Sequence, residues 1–428
     1  MKRRHSWAKG KAGPCLVGLL GTCAAPQVLA QDRVRDPSGR DMPIAVQTRA
    51  RPETDPVPFH LGSFTVIPFA AATLTYDDNV YATRSDRVGD ALASLAGALT
   101  ARSAWSRHAV SLDLDGALTR GLSQDAEDTQ TYRGLLAGRL DLGTTTALTA
   151  SAGYARAYEA RGSIGDTTLR GPRIAYHALE LDARLRRSSG RVILEAEAGL
   201  DAFRYAPRSN AAGVRSTLRD RDYTSWHARL RTGYAFAPGV AAFAEGSYNR
   251  ARYPEDTTAL DRGSHGWSLR GGLEFGVSRL VRGRAALGYQ DQRYADPAFP
   301  RIRGLDFAAA LEWNPTRLLT LAVDARRTIQ RSPLVGVAGI RQTRFGARAD
   351  YELRRSVLLS ARLDRATSDF AGTPRVQKDL VGGLGIDWLA NHHLRLGGEA
   401  TFQRTRTEGV PGRAFDRRRV SVSLRYAF

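Results

Sequence analysis

The chain has 428 residues, of which 42 % are hydrophobic and 25 % are charged, and its formal net charge is +20. An intrinsically disordered protein is excluded, because such chains contain too few apolar residues to form a core. The length allows about two or three ordinary domains or one large all-β domain.

The first thirty residues have the pattern of a secretory signal. A basic segment at 2–11 precedes a short apolar stretch at 14–25, which is too short to cross a bilayer as a helix. Small residues follow directly and predict cleavage after Ala30. Residues 1–30 are therefore predicted to be a signal peptide.

A lipoprotein signal is the alternative, with Cys23 as the modified residue. Thr22 before it fits that pattern poorly, so cleavage after Ala30 is preferred. Cleavage removes both cysteines, Cys15 and Cys23, which excludes a disulfide, a thiol nucleophile and a thiolate metal site in the mature chain. Export also argues against nucleic acid as a partner, although the composition is basic.

Residues 31–62 are proline-rich and polar and have no sustained period, so they predict a mostly disordered periplasmic tail. From 63 to 428, apolar and polar residues alternate with the period of two that is typical of β-strands. About eighteen such runs occur, most of them 11–14 residues long. Strands of soluble proteins average about 5–6 residues, whereas a tilted strand needs about 9–11 to cross a bilayer.

The connections between these runs alternate in length. WSRH, GTTT and SSGR are short turns, whereas SQDAEDTQ, EARGSIGDTTLRGPR and PRSNAAGVRSTLRDRD are long polar loops. Sorting of this kind is typical of an up-and-down antiparallel membrane barrel with short periplasmic turns and longer extracellular loops. We therefore predict an all-β transmembrane β-barrel of about eighteen strands, with both termini periplasmic. Sixteen strands is the alternative, because the runs at 304–313 and 379–389 are short.

The last strand is predicted from RRRVSVSLRYAF, in which apolar residues alternate from Val420 to Phe428. Its apolar face is expected to meet lipid, and it is expected to pair with the first strand so that no edge remains. A final strand with aromatic residues at its end, here Tyr426 and Phe428, resembles the assembly signal of bacterial outer-membrane proteins. That resemblance implies recognition by the outer-membrane assembly machinery.

The stretch VIPFAAATLTYDDNVYATRSDRVGD, with the WSRH turn that follows it, resembles the bacterial family known as putative β-barrel porin 2. The resemblance is clear over residues 64–160 and general afterwards. It implies a location in the outer membrane, in contact with its lipid. Members often accompany exopolysaccharide export genes, so polysaccharide export proteins are expected as a class of partner. The family supplies no catalytic residues.

Arginine on the polar faces is the remaining signal. These residues fall opposite the lipid-facing set and are expected to line the lumen: Arg229, Arg231, Arg282, Arg284, Arg344, Arg348, Arg362 and Arg395. They could form a wall of cross-strand ion pairs, or an eyelet of unpaired cations that attracts anions. Arg282 and Arg284 are the best eyelet candidates, because their own strand offers no nearby acid on that face.

The preferred function is a porin-like channel for hydrophilic solutes, with mild anion preference, or for an acidic exopolysaccharide. One alternative is a non-conducting barrel that anchors or assists a polysaccharide export assembly, its lumen closed by loops or by residues 31–60. A barrel enzyme is the remote alternative, since no G-x-S-x-G is present and the histidines are scattered. No cofactor or metal site is expected.

Overall fold

The structure, a computed structural model, describes residues 45–168, 170–209, 215–254, 260–278, 280–334, 336–337, 339–410 and 412–428. The predicted signal peptide, its cleavage site after Ala30 and the first part of the predicted tail lie outside these residues. In the described part of the chain, no helix is both long and apolar enough to cross a membrane.

Across these ranges most of the chain is strand. The strands are β1 (Phe59–Leu61), β2 (Phe64–Asp77), β3 (Asp90–Ser103), β4 (Ala109–Gly121), β5 (Thr129–Asp141), β6 (Thr146–Tyr158), β7 (Ala175–Ser189), β8 (Val192–Tyr205), β9 (Arg208–Ser209), β10 (Arg215–Ser216), β11 (Tyr223–Ala237), β12 (Val240–Arg252), β13 (Ser264–Ser278), β14 (Val281–Tyr294), β15 (Ile302–Thr316), β16 (Leu319–Arg331), β17 (Gly339–Arg354), β18 (Val357–Phe370), β19 (Val376–Leu389), β20 (Leu394–Glu408) and β21 (Phe415–Ala427). Short 3-10 helices occupy Val46–Thr48, Asp125–Glu127 and Arg219–Arg221.

Within the described residues, eighteen strands, β2–β8 and β11–β21, form one closed antiparallel barrel in which neighbours in sequence are neighbours in the sheet. The barrel closes between its first and last strands, where β2 and β21 pair from Phe69–Ala427 to Asp77–Arg419. The predicted count of eighteen is confirmed. The two runs that sequence left uncertain are the full-length strands β15, with 15 residues, and β19, with 14.

The outer face of the barrel is apolar. On β21, Val420, Val422 and Leu424 are 56 %, 62 % and 45 % exposed, and the positions between them carry serine and arginine. Large apolar side chains recur in this way on strand after strand, a surface that water would not tolerate and lipid favours. The alternation therefore separates a lipid-facing exterior from a polar interior.

Loop length distinguishes the two ends of the barrel. Turns such as 190–191, 238–239 and 355–356 are short, whereas the loops at 159–174 and 206–222 at the other end are long. We call these ends the periplasmic and extracellular mouths, because short turns are periplasmic in such barrels. β2 begins and β21 ends at the periplasmic mouth.

The seam between β2 and β21 has a second partner. The amide of Phe428 donates to the carbonyl of Pro68 at 3.2 Å, which ends the pairing of the last strand. Beyond that point β1 pairs with β2, Phe59 opposite Val66 and Leu61 opposite Phe64. The described end of the segment expected to be a disordered tail is thus ordered, and it covers the part of the β2 edge that β21 leaves open.

Candidate functional site

The interior wall of the barrel contains arginines that face carboxylates on neighbouring strands. Arg282 lies opposite Glu312 of β15, with a nitrogen–oxygen distance of 2.5 Å. Arg284 lies opposite Glu274 of β13 at 3.6 Å, and its guanidinium reaches Glu245 of β12 at 3.1 Å. The expectation that these two arginines are unpaired was wrong, because their partners come from other strands.

Most of the other arginines selected from the sequence form the same kind of contact. Their partners are Glu197 for Arg229 (2.6 Å), Glu274 for Arg231 (2.5 Å), Asp364 for Arg344, Asp350 for Arg348 (2.8 Å) and Glu399 for Arg362 (2.6 Å). Apart from Arg348 and Asp350, which both lie on β17, these contacts join different strands and neutralise charge along the wall.

Some interior arginines, Arg326 of β16 among them, have no acidic partner in the described part of the chain. Among the residues that the structure describes, Arg395 of β20 and Arg419 of β21 lie within ion-pair distance of no carboxylate. Asp77, which lies opposite Arg419, accepts instead from Nε of Arg417 at 2.7 Å. Arg395 was selected from the sequence, whereas Arg419 was not, because which of two neighbouring arginines takes a partner depends on side-chain geometry.

One interior cluster has ligand types suited to a metal. Asp182, Glu197 and His227 each offer a ligand atom within 4.8 Å of the others. The register places Asp182 and His227 on either side of Gly199, where a Cβ would collide with both, so only glycine allows their 3.1 Å contact. Two guanidiniums already bind Glu197, at 2.7 and 2.6 Å, and their charge opposes a cation there. Sequence spacing missed this cluster because three strands supply it.

The loop at 159–174 crosses the extracellular mouth. It leaves β6 and returns to β7, but Ile164 packs against Val337, Ile340 and Phe370, which belong to β17, β18 and the loop before β17. These strands lie on the far side of the eighteen-stranded barrel from β6 and β7. The loop therefore spans the full width of the mouth, and we call residues 159–174 the crossing loop.

A buried arginine holds the crossing loop in place. Arg161 donates to Glu127 Oε1 at 2.6 Å, to Thr168 Oγ1 at 2.5 Å and to the Gly171 carbonyl at 2.6 Å. The side chains of Arg161 and Glu127 are only 1 % and 2 % exposed. Asp166 adds an ion pair to Arg413, at 2.8 Å, in the loop before β21. The crossing loop is thus tied to two other extracellular loops.

Gly162 is the sharpest bend of the crossing loop. Its φ is +77°, a region that other residues rarely adopt, and a Cβ there would collide with the ring of Phe415. Any larger residue at 162 would strain the backbone and push the loop away from β21.

Burial raises the pKa of two carboxyl groups in the extracellular mouth. It raises the pKa of Glu127, an effect that the guanidinium of Arg161 opposes. Burial likewise raises the pKa of Glu159, against hydrogen bonds donated by Tyr205 and Ser163. The closed arrangement of the crossing loop therefore binds protons on these carboxyl groups more readily than an open, hydrated arrangement would.

The periplasmic mouth is lined by residues 45–55, which we call the N-terminal strap. The amide of Val46 donates to Thr320 Oγ1 at 2.9 Å, and its side chain is fully buried against Leu358 and Leu389 on the interior wall. Arg49 and Arg51 each contact Glu352 at 3.0 Å. The strap thus occupies the interior side of β16–β19, in part of the segment that the sequence predicted to be a tail.

The strap also follows the periplasmic turns. Glu53 pairs with Arg355 in the β17–β18 turn at 3.3 Å, and Nδ1 of His392, in the β19–β20 turn, lies 2.8 Å from the Asp55 carbonyl. Chain segments therefore lie in both mouths, the crossing loop in one and the strap in the other.

Comparison with known proteins identifies the family to which the chain belongs. The family described as Putative beta-barrel porin 2 matches residues 51–428, so the resemblance seen at 64–160 is confirmed over a longer range. Similar solved structures include the siderophore receptor PiuA from Acinetobacter baumannii, which is 10 % identical with a TM-score of 0.47, covering 87 % of this chain and 82 % of that one. Pseudomonas aeruginosa OpdL is 13 % identical (86 % and 99 % covered, TM-score 0.43), and OpdO from the same organism is 15 % identical (85 % and 97 %, TM-score 0.44). No curated protein matches the sequence. The chain belongs to the Putative beta-barrel porin 2 family.

Proposed function

We propose that the protein is an outer-membrane channel for small hydrophilic solutes, in a conformation closed by its crossing loop. The observation that carries the proposal is the contrast between an apolar exterior and an interior wall of paired charges. A wall of paired charges is compatible with a water-filled lumen and is unsuited to a packed apolar core. Barrels of 16–18 strands are also wide enough to conduct. Membership of a porin family supports the same reading.

The two mouths supply the means of control. The crossing loop reaches the opposite wall through Ile164, and the N-terminal strap lies on the wall at the other end. Both segments are held by a few side-chain contacts and not by strand pairing, so each can leave while the barrel stays intact. Conduction then requires the crossing loop to swing outwards.

We further propose a mild preference for anions, carried by Arg395 and Arg419. Unpaired positive charge in a lumen with low-dielectric walls raises the local concentration of anions. Arg282 and Arg284, which the sequence favoured for this role, are neutralised by their partners. Carboxylates on the β4 and β7 walls, among them Asp113 and Glu180, keep the preference small.

Single-channel recording in planar bilayers tests both parts of the proposal. We expect conduction in steps and a reversal potential across a salt gradient that indicates mild anion preference. The double variant Arg395→Glu/Arg419→Glu moves the lumen charge by four units and should shift the reversal potential towards cations. The matched control is Arg282→Glu/Glu312→Arg, which exchanges a pair without changing net charge. An unchanged reversal potential in the first variant contradicts the assignment to Arg395 and Arg419.

A non-conducting barrel that anchors or assists a polysaccharide export assembly is the second candidate. The specific observation in its favour is that both mouths contain ordered chain. Passage of an acidic exopolysaccharide through the lumen would require both segments to move. A protein that stays silent in bilayers even when the crossing loop has been released would favour the anchoring role.

A further inference from the structure

On five strands the outward face of the barrel is charged at the extracellular end only. At the extracellular ends of five strands, outward positions carry arginine: Arg250 on β12, Arg303 on β15, Arg365 on β18, Arg404 and Arg406 on β20, and Arg418 on β21. At the periplasmic ends of the same strands, outward positions carry Val240, Trp313, Val357, Leu394 and Tyr426. The two membrane boundaries therefore face different chemistry.

Strand register confirms that these arginines point outwards. Arg365 lies opposite Phe345 of β17 and Leu380 of β19, and Phe345 is 53 % exposed in the lipid-facing band. Arg418 lies opposite Phe402 of β20 on the same face. The cations therefore lie at the extracellular border of the apolar outer surface, beside residues of the lipid-facing band.

Four of these arginines lie on β18, β20 and β21, and Lys378 lies among them at an outward position of β19. We call them the outer basic patch: Arg365, Lys378, Arg404, Arg406 and Arg418. Two carboxylates lie among them, Glu408 at 2.7 Å from Lys378 and Asp416 at 2.9 and 3.0 Å from the two arginines of β20. In the described part of the chain no acid pairs with the side chain of Arg365 or Arg418, and both are exposed. The patch therefore keeps a surplus of positive charge.

A cavity adjoins the outer basic patch at Arg406. It has a volume of about 420 Å³, and Arg84, Arg87, Arg406 and Asp416 contribute to its lining. Arg87 approaches Asp416 at 3.9 Å from the loop that follows β2. Three arginines thus contribute to the wall of a space much larger than one water molecule, which occupies about 30 Å³ in the liquid.

We propose that the outer basic patch binds the phosphate groups of an anionic glycolipid in the outer leaflet. The inference rests on the outer-membrane location in the proposed function. Guanidinium groups bind phosphate through paired hydrogen bonds, and the aliphatic stems of the side chains can lie against the acyl chains below. A basic residue near an anionic membrane surface strengthens binding by about fivefold. Arg365 and Arg418, which have no acidic partner, are the residues most available to a phosphate.

The test is lipid binding by the purified full-length protein in detergent. The probes are lipid A with two phosphates, the same lipid with one phosphate removed, and inorganic phosphate, each titrated by native mass spectrometry. The variant Arg365→Gln/Arg418→Gln should bind the bisphosphorylated lipid about 25-fold more weakly, as two residues at about fivefold each imply. The control Arg107→Gln/Arg191→Gln, which removes the same charge from periplasmic turns, should bind as the wild type does.

The outcomes distinguish a failure of the lipid-binding proposal from a failure of the channel proposal. Wild-type affinity in the patch variant overturns the proposal, as does inorganic phosphate binding as tightly as the lipid, which would indicate a site for free anions. Weaker binding when one lipid phosphate is removed supports it. Conductance of the patch variant should equal that of the wild type, so a protein that never conducts refutes the channel and leaves the lipid result standing.

Discussion

Replacing Arg161 by methionine should open the extracellular mouth. The substitution keeps the length of the side chain and removes its charge, so Glu127 stays buried without its ion-pair partner in the closed arrangement, whereas Asp166 keeps Arg413. Removing one partner of a buried ion pair costs about 3–5 kcal/mol. An open crossing loop avoids this cost, because water hydrates the carboxylate. Since about 1.4 kcal/mol is a factor of ten, the ratio of open to closed loop should rise by roughly a hundredfold to a few thousandfold.

Two measurements monitor the opening of the crossing loop. The first is the open-state occupancy in single-channel records. The second is maleimide labelling of Ile164→Cys, which is specific because Cys15 and Cys23 both lie in the predicted signal peptide. Labelling should be slow in the parent protein, where residue 164 packs against the far wall, and fast once Arg161 is replaced.

Two further variants make the result interpretable. Arg170→Met removes an exposed arginine of the same loop, whose one described contact is a 2.9 Å bond to the Asp86 carbonyl, and should leave both measurements unchanged. Gly162→Ala should open the loop without changing its charge. If Arg161→Met leaves labelling and occupancy at the values of the Arg170→Met control, the buried ion pair does not hold the loop and the reasoning fails.

Three other predictions follow from the two mouths and the chain end. Burial raises the pKa of Glu127 and Glu159, so the closed loop is favoured as pH falls and loses that advantage as pH rises through the raised pKa. Conductance should therefore drop between about pH 7 and pH 4.5. A rise in conductance on acidification would contradict this. Glu352→Gln weakens two charged hydrogen bonds of the strap, worth about 1.5–3 kcal/mol each, and should speed tryptic cleavage after Arg49. Glu53→Gln, which loses only an exposed pair, serves as its control, and equal cleavage rates in the two variants would argue against the strap. Deleting Phe428 should lower the amount of barrel in the outer membrane at unchanged synthesis, and undiminished membrane levels would remove its role as an assembly signal.

The strands could be predicted from sequence because their signal is local. Lipid on one side and polar groups on the other impose a period of two along each strand, and that period needs no knowledge of any other strand. The same reasoning failed for Arg282 and Arg284, since Glu312 and Glu274 meet them only through cross-strand register. Register depends on the turns and on the whole sheet, so a search for acids along one strand could not find these partners.

The two mouths were harder to predict for a related reason. EARGSIGDTTLRGPR indicated only a long polar loop, yet Arg161 finds Glu127 in a different loop. The N-terminal strap was expected to be part of a tail because it lies in a proline-rich segment with no sustained period, but Val46 is buried by residues that follow it by about three hundred positions. Neither contact has a pattern that a linear reading can detect.

The pairing of β1 with the periplasmic end of β2 has a consequence for how the barrel closes. The β1–β2 hairpin joins residues a few positions apart and can form early, whereas β21 meets β2 only after the whole chain has been delivered. A β1 that is already paired with Phe64–Val66 of β2 leaves to β21 the positions from Pro68 onwards, where the amide of Phe428 donates. A slip of one residue would turn the apolar side chains of β21 inwards. Three residues near the start of the chain thus serve as a register stop for the last strand.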